Sequence, residues 1–246
     1  MNVLVAGGAG YIGSHTVKRL KEAGHTPVIY DNLSRGHREP ANILQVPLVV
    51  ADLRDKPVLL KTLRDHHIEC VMHFAAYAYV GESVQKPLMY YDNNVATTVA
   101  VLETMKEANV NRFVFSSTCA TYGDPDSVPI TENEKKRPVS PYGRSKLMVE
   151  EVLADYLASN PAFSFAALRY FNASGCALDG SIGEDEAKMP NKFASWTPRL
   201  LKAAYNYQFV TEDPGAYAHN APYVLQLMHD SLADLAEANV AGLTRP

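Results

Sequence analysis

The stretch VAGGAGYIGSH, from Val5 to His15, constrains the chain more than any other. A short β-branched run, NVLVA (2–6), leads directly into glycines that satisfy two spacings at once: Gly8-x-Gly10-x-x-Gly13 and Gly7-x-x-Gly10-x-x-Gly13. Glycine lets the backbone turn sharply and approach a ligand closely, and the N–H groups at the start of the following helix form a site for a pyrophosphate. The pattern by itself is common. In the order strand, loop, helix at the head of an α/β chain it points to a dinucleotide.

The rest of the chain repeats this alternation. TPVIY (26–30), VPLVV (46–50), CVMHF (70–74), RFVFS (112–116) and FSFAAL (163–168) are short apolar runs, as expected of strands covered on both faces. Helical patterns separate them: HTVKRLKEAG, KPVLLKTLRDHH, the long stretch 87–108, and Tyr142 to Ser159. The chain is therefore expected to form an α/β fold, a doubly wound parallel sheet of Rossmann type with helices on both faces. Near Glu186 the texture changes and convincing strands stop. Residues 1–185 are read as the dinucleotide-binding domain and 186–246 as a short, mainly helical tail, with helices expected at 198–208 and 222–239. In the second of these, Leu225, Met228, Leu232 and Leu235 form an apolar stripe, read as a packing face.

Bulk properties exclude several classes. With 246 residues, 47% of them hydrophobic and 20% charged, the chain matches soluble globular proteins and is long enough for a substantial core. Its 23 Lys plus Arg against 27 Asp plus Glu, with no basic block, argue against a nucleic-acid partner. Cys70, Cys119 and Cys176 are far apart and form no C-x-x-C, so neither a disulfide framework nor a metal site is expected, and a reducing cytoplasm is the simplest location. No apolar run is long enough to span a bilayer, and the N-terminal stretch lacks the features of a signal peptide.

Two further sites carry chemistry. Asp31 follows the second strand, where a carboxylate accepts a hydrogen bond from a ribose 2′-hydroxyl and repels a 2′-phosphate; this favours NAD over NADP. Arg35 nearby leaves NADP open, and a turn aspartate in DNLSRG is the bland alternative. Asp52 and Leu53, after the third strand, are placed to reach the adenine end. In SPYGRSKLMVEE (140–151), Ser140 and Pro141 begin a helix, and Tyr142 and Lys146 share one face of it. A lysine beside a phenol favours the phenolate, which a tyrosine acting as general base needs. Two common residues at a common spacing prove little alone. His73 is read as a core histidine, His66 and His67 as helix-end residues, and Asn93-Asn94 as solvent-facing mid-helix positions, although asparagine is a poor choice there.

Taken in order, VAGGAGYIGSH, DNLSRG, HFAAYAYVGESVQKPLMYYDNNV, FSSTCATYG, SPYGRSKLMVEE and LRYFNASG closely resemble the UDP-glucose 4-epimerases of the extended short-chain dehydrogenase/reductase family. The resemblance covers about residues 1–185. It implies an NAD-dependent isomerase that inverts C4 of a UDP-hexose, UDP-glucose or UDP-galactose, through a 4-keto intermediate. It implies Tyr142 as catalytic base, Lys146 as the residue that binds the nicotinamide ribose and lowers the phenol's pKa, and Thr118 as the hydroxyl that holds the reacting sugar oxygen, a plain strand residue being the alternative there. Gly7, Gly10, Tyr11, Ile12, Gly13, Asp31, Asn32, Asp52, Leu53, Phe74, Ala75, Ala76, Asn93, Lys146 and Phe171 fall at positions lining NAD. Thr118, Tyr142 and Asn172 fall on the substrate side. The implied partners are a UDP-sugar and, at most, a second copy in a homodimer, with no metal, nucleic acid or membrane.

Two departures stand out. Ala78 occupies a position where some members carry lysine, and from Glu186 onward nothing convincingly matches the family's nucleotide-binding segment and substrate domain. An epimerase impaired by its atypical C-terminus is one expectation. A catalytically silent NAD-binding interaction protein derived from an epimerase is the other. A related dehydratase is disfavoured, because Cys119-Ala120 stand where those enzymes carry an acidic pair.

Overall fold

A computed structural model describes residues 1–173, 177 and 179–183. Six parallel strands run in the order β3-β2-β1-β4-β5-β6: β1 (Asn2–Ala6), β2 (Thr26–Asp31), β3 (Leu48–Val50), β4 (Cys70–His73), β5 (Arg112–Thr118) and β6 (Ser164–Tyr170). The helices are α1 (Tyr11–Glu22), α2 (Glu39–Leu44), α3 (Lys56–Asp65), α4 (Val80–Gln85), α5 (Pro87–Tyr91), α6 (Thr97–Glu107) and α7 (Pro141–Ser159). A π-helical turn, Asp92–Ala96, joins α5 to α6, and a 3-10 turn, Cys119–Thr121, follows β5. The chain winds outward from β1 to β3 and then crosses back to β4, so the strand order reverses between β1 and β4. In doubly wound sheets that reversal opens a crevice at the C-terminal edge.

Strand alternation sorts the core into two layers. Leu4, Ala6, Val28, Tyr30, Val71, Phe113 and Phe115 face one side, where they meet Leu59 and Leu63 of α3, Leu102 and Met105 of α6, and Val149 and Leu153 of α7. Val3, Val5, Ile29 and Cys70 face the other, against Val17 of α1 and Ala41 and Leu44 of α2. This is the doubly wound arrangement expected from the apolar runs. β3 starts later than VPLVV because Pro47 has no N–H for the ladder, although its carbonyl still accepts from Ile29 N at 2.9 Å. The helices α2 and α4 are short pieces that the sequence pattern did not announce.

α7 begins as its sequence indicates: Ser140 Oγ accepts from Gly143 N at 3.1 Å, and Pro141 follows. Its buried face carries Val149 and Leu153, and also Lys146 and Glu150, two charged groups where apolar residues would normally sit.

The chain divides into two compact units, 1–124 with 136–184, and 125–135 with 185–246. Within 125–135, Lys135 Nζ pairs with Asp126 at 2.9 Å and Glu134 N donates to Thr131 O at 3.1 Å. The boundary at 185, both expected tail helices, the Leu225–Leu235 stripe and Cys176 lie outside the described residues. Among the described residues, no helix is long and apolar enough to cross a membrane, and no group of His, Cys, Asp and Glu could hold a metal ion.

Leu153 is fully buried between α7 and the sheet. Leu153→Ala is expected to lower the unfolding free energy by about 2–5 kcal/mol in urea, with an unchanged denaturant slope.

Candidate active site

The site starts at the glycine loop. Gly7 has a φ of +79°, and a Cβ there would lie 2.5 Å from Ala75 N. A Cβ on Gly13 would lie 2.1 Å from Gly7 O. Only glycine fits either position, and the loop lies flat against the segment leaving β4 with the first turn of α1 folded onto it. α1 opens at Gly10 without a side-chain cap, an arrangement that a bound anion completes.

Gly7, Asp31, Asn32, Asp52, Leu53, Phe74, Ala75, Ala76 and Asn93 line one pocket with about 660 Å³ of empty volume. The structure thus gathers nine of the sequence-nominated residues there, from the ends of β1, β2, β3 and β4 and from the π-helical turn. Ser34, Gly36, Tyr77 and Thr97 also line it and had been assigned no role. Gly10, Tyr11, Ile12 and Gly13 form the loop and helix start; the Tyr11 ring meets His15 edge-on, with centroids 5.3 Å apart. Asp31 faces the pocket while its Oδ2 accepts from Ala9 N at 3.1 Å and its Oδ1 from Leu33 N at 2.9 Å. Burial raises its pKa, and those two N–H groups oppose the rise. Asn32 Nδ2 donates to Asp52 Oδ2 at 3.0 Å, tying the loop after β2 to the loop after β3. A cradle closed to any Cβ, an uncapped helix start and a carboxylate at the end of β2 fit a dinucleotide.

The second cluster lies at the C-terminal end of β5. Thr118 ends the strand; its Oγ1 accepts from Ala120 N at 3.1 Å, and its hydroxyl lies on the side of Tyr142, where it favours the ionised phenol. One turn further along α7, Lys146 is buried, and its Nζ donates to Ser116 O at 2.8 Å. That ammonium lies 4.8 Å from the ring centroid of Phe115 and 6.0 Å from that of Tyr142. Tyr90 contacts Tyr142 edge-on at 6.4 Å. In the protein alone, burial dominates the titration of both groups. Burial pushes Tyr142 above its ordinary value although the Thr118 hydroxyl opposes the rise, and burial brings Lys146 down to about 7. Desolvation is the largest cause of the shift in both groups.

His73 is a core residue, as the sequence suggested. Its Nε2 is 3.1 Å from Thr98 Oγ1, its buried Nδ1 has no hydrogen-bond partner, and burial followed by the nearby Lys146 charge holds its pKa down to about 3.

Two functional supports escaped the sequence reading. Asn94 is buried: its Oδ1 accepts from Tyr77 N at 2.9 Å, and its Nδ2 donates to Tyr77 O at 3.0 Å and to Ser145 Oγ at 3.1 Å. It fastens the loop after β4 to α7 from within the π-helical turn, a distortion common at functional sites. Glu150 accepts from Ser117 Oγ at 2.5 Å and from Arg169 Nε and Nη2 at 2.9 and 2.7 Å. Burial raises its pKa, but Arg169, Ser117 and Lys136 together hold it below the usual value. Arg169 also donates to Tyr122 Oη at 3.0 Å, so the ends of β5 and β6 and the body of α7 are clamped just behind Thr118. The available signal was a glutamate on the same helix face as Tyr142 and Lys146. Phe171 and Asn172 follow β6 directly and are exposed.

Fold and site together define a dinucleotide-binding α/β protein. The model of the NAD dependent epimerase/dehydratase family matches residues 3–205, and the chain belongs to that family. It is 46% identical over 204 residues to a UDP-glucose 4-epimerase of Lactobacillus helveticus, covering 83% of this chain and 60% of that protein. Its fold is similar to that of a UDP-glucose 4-epimerase from Stenotrophomonas maltophila with bound NAD and formylated UDP-arabinopyranose (TM-score 0.76, 38% identity, 85% of this chain and 62% of that one). It is also similar to a UDP-glucose 4-epimerase from Brucella ovis in complex with NAD (TM-score 0.75, 45% identity, 84% and 61%). The chain therefore spans about three fifths of the length of these relatives.

The Lys146 shift has a pH signature. Its folded pKa of about 7 lies below the unfolded value of 10.5, so between those pH values the unfolded chain binds more protons and stability rises with pH. Below about pH 7 both states are protonated and the full burial penalty remains. Without added cofactor, Lys146→Met is expected to be more stable than the wild type near neutral pH, with the difference shrinking toward about pH 10 in urea-unfolding measurements. A pH-independent difference would contradict the assignment.

Proposed function

We propose that this chain carries the NAD-binding and proton-transfer parts of a UDP-hexose 4-epimerase, inverting C4 of UDP-glucose or UDP-galactose. The observation that carries the reading is the placing of Tyr142 and the buried Lys146 on one face of α7 at the end of β5, where Lys146 Nζ reaches Ser116 O at 2.8 Å and Thr118 ends the strand, at the same sheet edge as a glycine cradle and Asp31. The family membership and the printed names of the relatives support it.

Bound NAD supplies a hydride acceptor and then a hydride donor at its nicotinamide. In this reading Gly7, Gly10 and Gly13 let the pyrophosphate approach the start of α1, where Tyr11 and Ile12 lie. Asp31 accepts from the adenine ribose, and Asn32, Asp52, Leu53, Phe74, Ala75, Ala76 and Asn93 wall the pocket. Lys146 has one proton on Ser116 O and donates another to the nicotinamide ribose. Phe171 flanks the cofactor and Asn172 the sugar.

Tyr142 Oη removes the proton of the C4 hydroxyl and later returns it, and Thr118 Oγ1 holds that oxygen in line. The phenol lies above its ordinary pKa in the protein alone, so ionisation near neutral pH draws on the positive charge gathered beside it once the cofactor site is filled. Residues 1–185 form the cofactor domain in this reading and 186–246 a helical tail. NAD is resident, a UDP-sugar is the substrate, the assembly is a homodimer and the location is the cytoplasm.

Incubation of the purified chain with NAD and UDP-galactose is expected to yield UDP-glucose. Tyr142→Phe is expected to lower turnover by roughly 100- to 10,000-fold while NAD affinity stays within a few-fold. NAD bound stoichiometrically with no conversion would instead support the silent-binder reading.

A further inference from the structure

Arg35 follows Asp31 in the loop after β2 and lines the same pocket. An arginine at this place in a dinucleotide fold is a ready ligand for a ribose 2′-phosphate, which it would meet with paired, charge-assisted hydrogen bonds. Here the guanidinium is drawn to the opposite wall. Its Nη2 donates to Glu82 Oε2 at 2.8 Å, and its central carbon lies 4.7 Å from the ring centroid of Tyr77 and 4.8 Å from that of Tyr79.

Glu82 is itself fixed. Its Oε2 also lies 2.9 Å from the buried Tyr90 hydroxyl, and Lys86 Nζ is 3.7 Å from its Oε1. Arg35 first, and then Tyr90, hold its carboxyl below the usual range, so it stays charged at neutral pH.

We propose that Glu82 and Arg35 form a cofactor-specificity lock: Glu82, with Tyr77 and Tyr79, keeps the Arg35 guanidinium away from the ribose 2′ position, so the pocket refuses NADP through a withheld cation as well as through the Asp31 carboxylate. The lock rests on the reading of this pocket as a dinucleotide site. A 2′-phosphate would meet Asp31, whose two oxygens already take backbone N–H groups and which lies too close to tolerate a second anion. Among the described residues that line the pocket, Arg35 is the cation that could offset that repulsion, and moving it means giving up an ion pair and contact with two aromatic faces. Glu82→Gln removes the charge that holds Arg35, while the amide oxygen can still accept from Tyr90. With the ion pair gone, the two ring contacts alone hold the guanidinium less firmly, and it can swing to a 2′-phosphate.

Calorimetric titration of the full chain with NAD and with NADP tests the lock. The wild type is expected to bind NAD more tightly. In Glu82→Gln the ratio of NADP to NAD dissociation constants is expected to fall about tenfold, the size of one new charge-assisted hydrogen bond. In Glu82→Gln/Arg35→Ala that gain is expected to disappear. Arg35→Ala alone, which does not depend on the folding of the Glu82 variant, should leave the ratio within about threefold of wild type.

An unchanged ratio in Glu82→Gln, or a gain that survives loss of Arg35, overturns the lock. So does a large loss of NADP affinity in Arg35→Ala, because Arg35 would then already reach the phosphate. If the wild type binds neither dinucleotide, the pocket reading falls along with the lock. NAD binding with flat ratios refutes the lock alone.

Discussion

Three strands meet at Ala6 and Gly7, and the geometry of the site follows from how tightly they do so. Gly7 N donates to Tyr30 O of β2 at 2.9 Å, and Phe74 N and Ala75 N both donate to Ala6 O, at 2.8 and 3.0 Å. The backbones of β1 and of the segment after β4 are thereby drawn so close that Gly7 has no room for a side chain. This approach sets where the glycine loop lies and where α1 starts. It also fixes the distance across which Asp31 and the residues after His73 face each other. A larger residue at Gly7 or Gly13 would push apart the two walls of the pocket before it touched any ligand.

Across the switch point, α7 is bound to β5 by polar contacts that an ordinary sheet-covering helix would lack. Lys146 reaches Ser116 O and Glu150 reaches Ser117 Oγ, with Tyr142 on the side of Thr118, so successive residues of the strand face side chains from the same helix face. Burying those groups carries a desolvation penalty that leucines would avoid, and it drives both Tyr142 and Lys146 toward their neutral forms. Groups held in this way respond strongly to any charge placed beside them, which is the behaviour expected of a proton-transfer site.

Much of this was legible in the sequence. The six strands appear as short apolar runs because a sheet covered on both sides buries most residues of its central strands. β1 runs over the very residues of NVLVA, while β6 continues through Arg169 and Tyr170, polar residues whose partners, Glu150 among them, come from distant elements. α4 was hidden because its six residues, VGESVQ, carry no helical period. The π-helical turn was hidden because nothing local marks it, and the partners of its Asn94, Tyr77 and Ser145, lie far away in the chain. At the site, motif spacing named Thr118, Tyr142 and Lys146, which lie together at the end of β5, but it was silent on the burial that raises the phenol's pKa in the protein alone, since spacing reports neighbours and not desolvation. Arg35 was seen as a cation near Asp31; that it turns toward Glu82 depends on a contact between residues far apart in the chain, which local pattern does not encode.

The most direct test of the account is a crystal structure of the chain with NAD. The account predicts the pyrophosphate over Gly7–Gly13 at the start of α1, the adenine ribose on Asp31, Arg35 still paired with Glu82, and the nicotinamide ribose within reach of Lys146. A dinucleotide bound elsewhere, or one seated in the cradle with its nicotinamide remote from Tyr142 and Lys146, would contradict it.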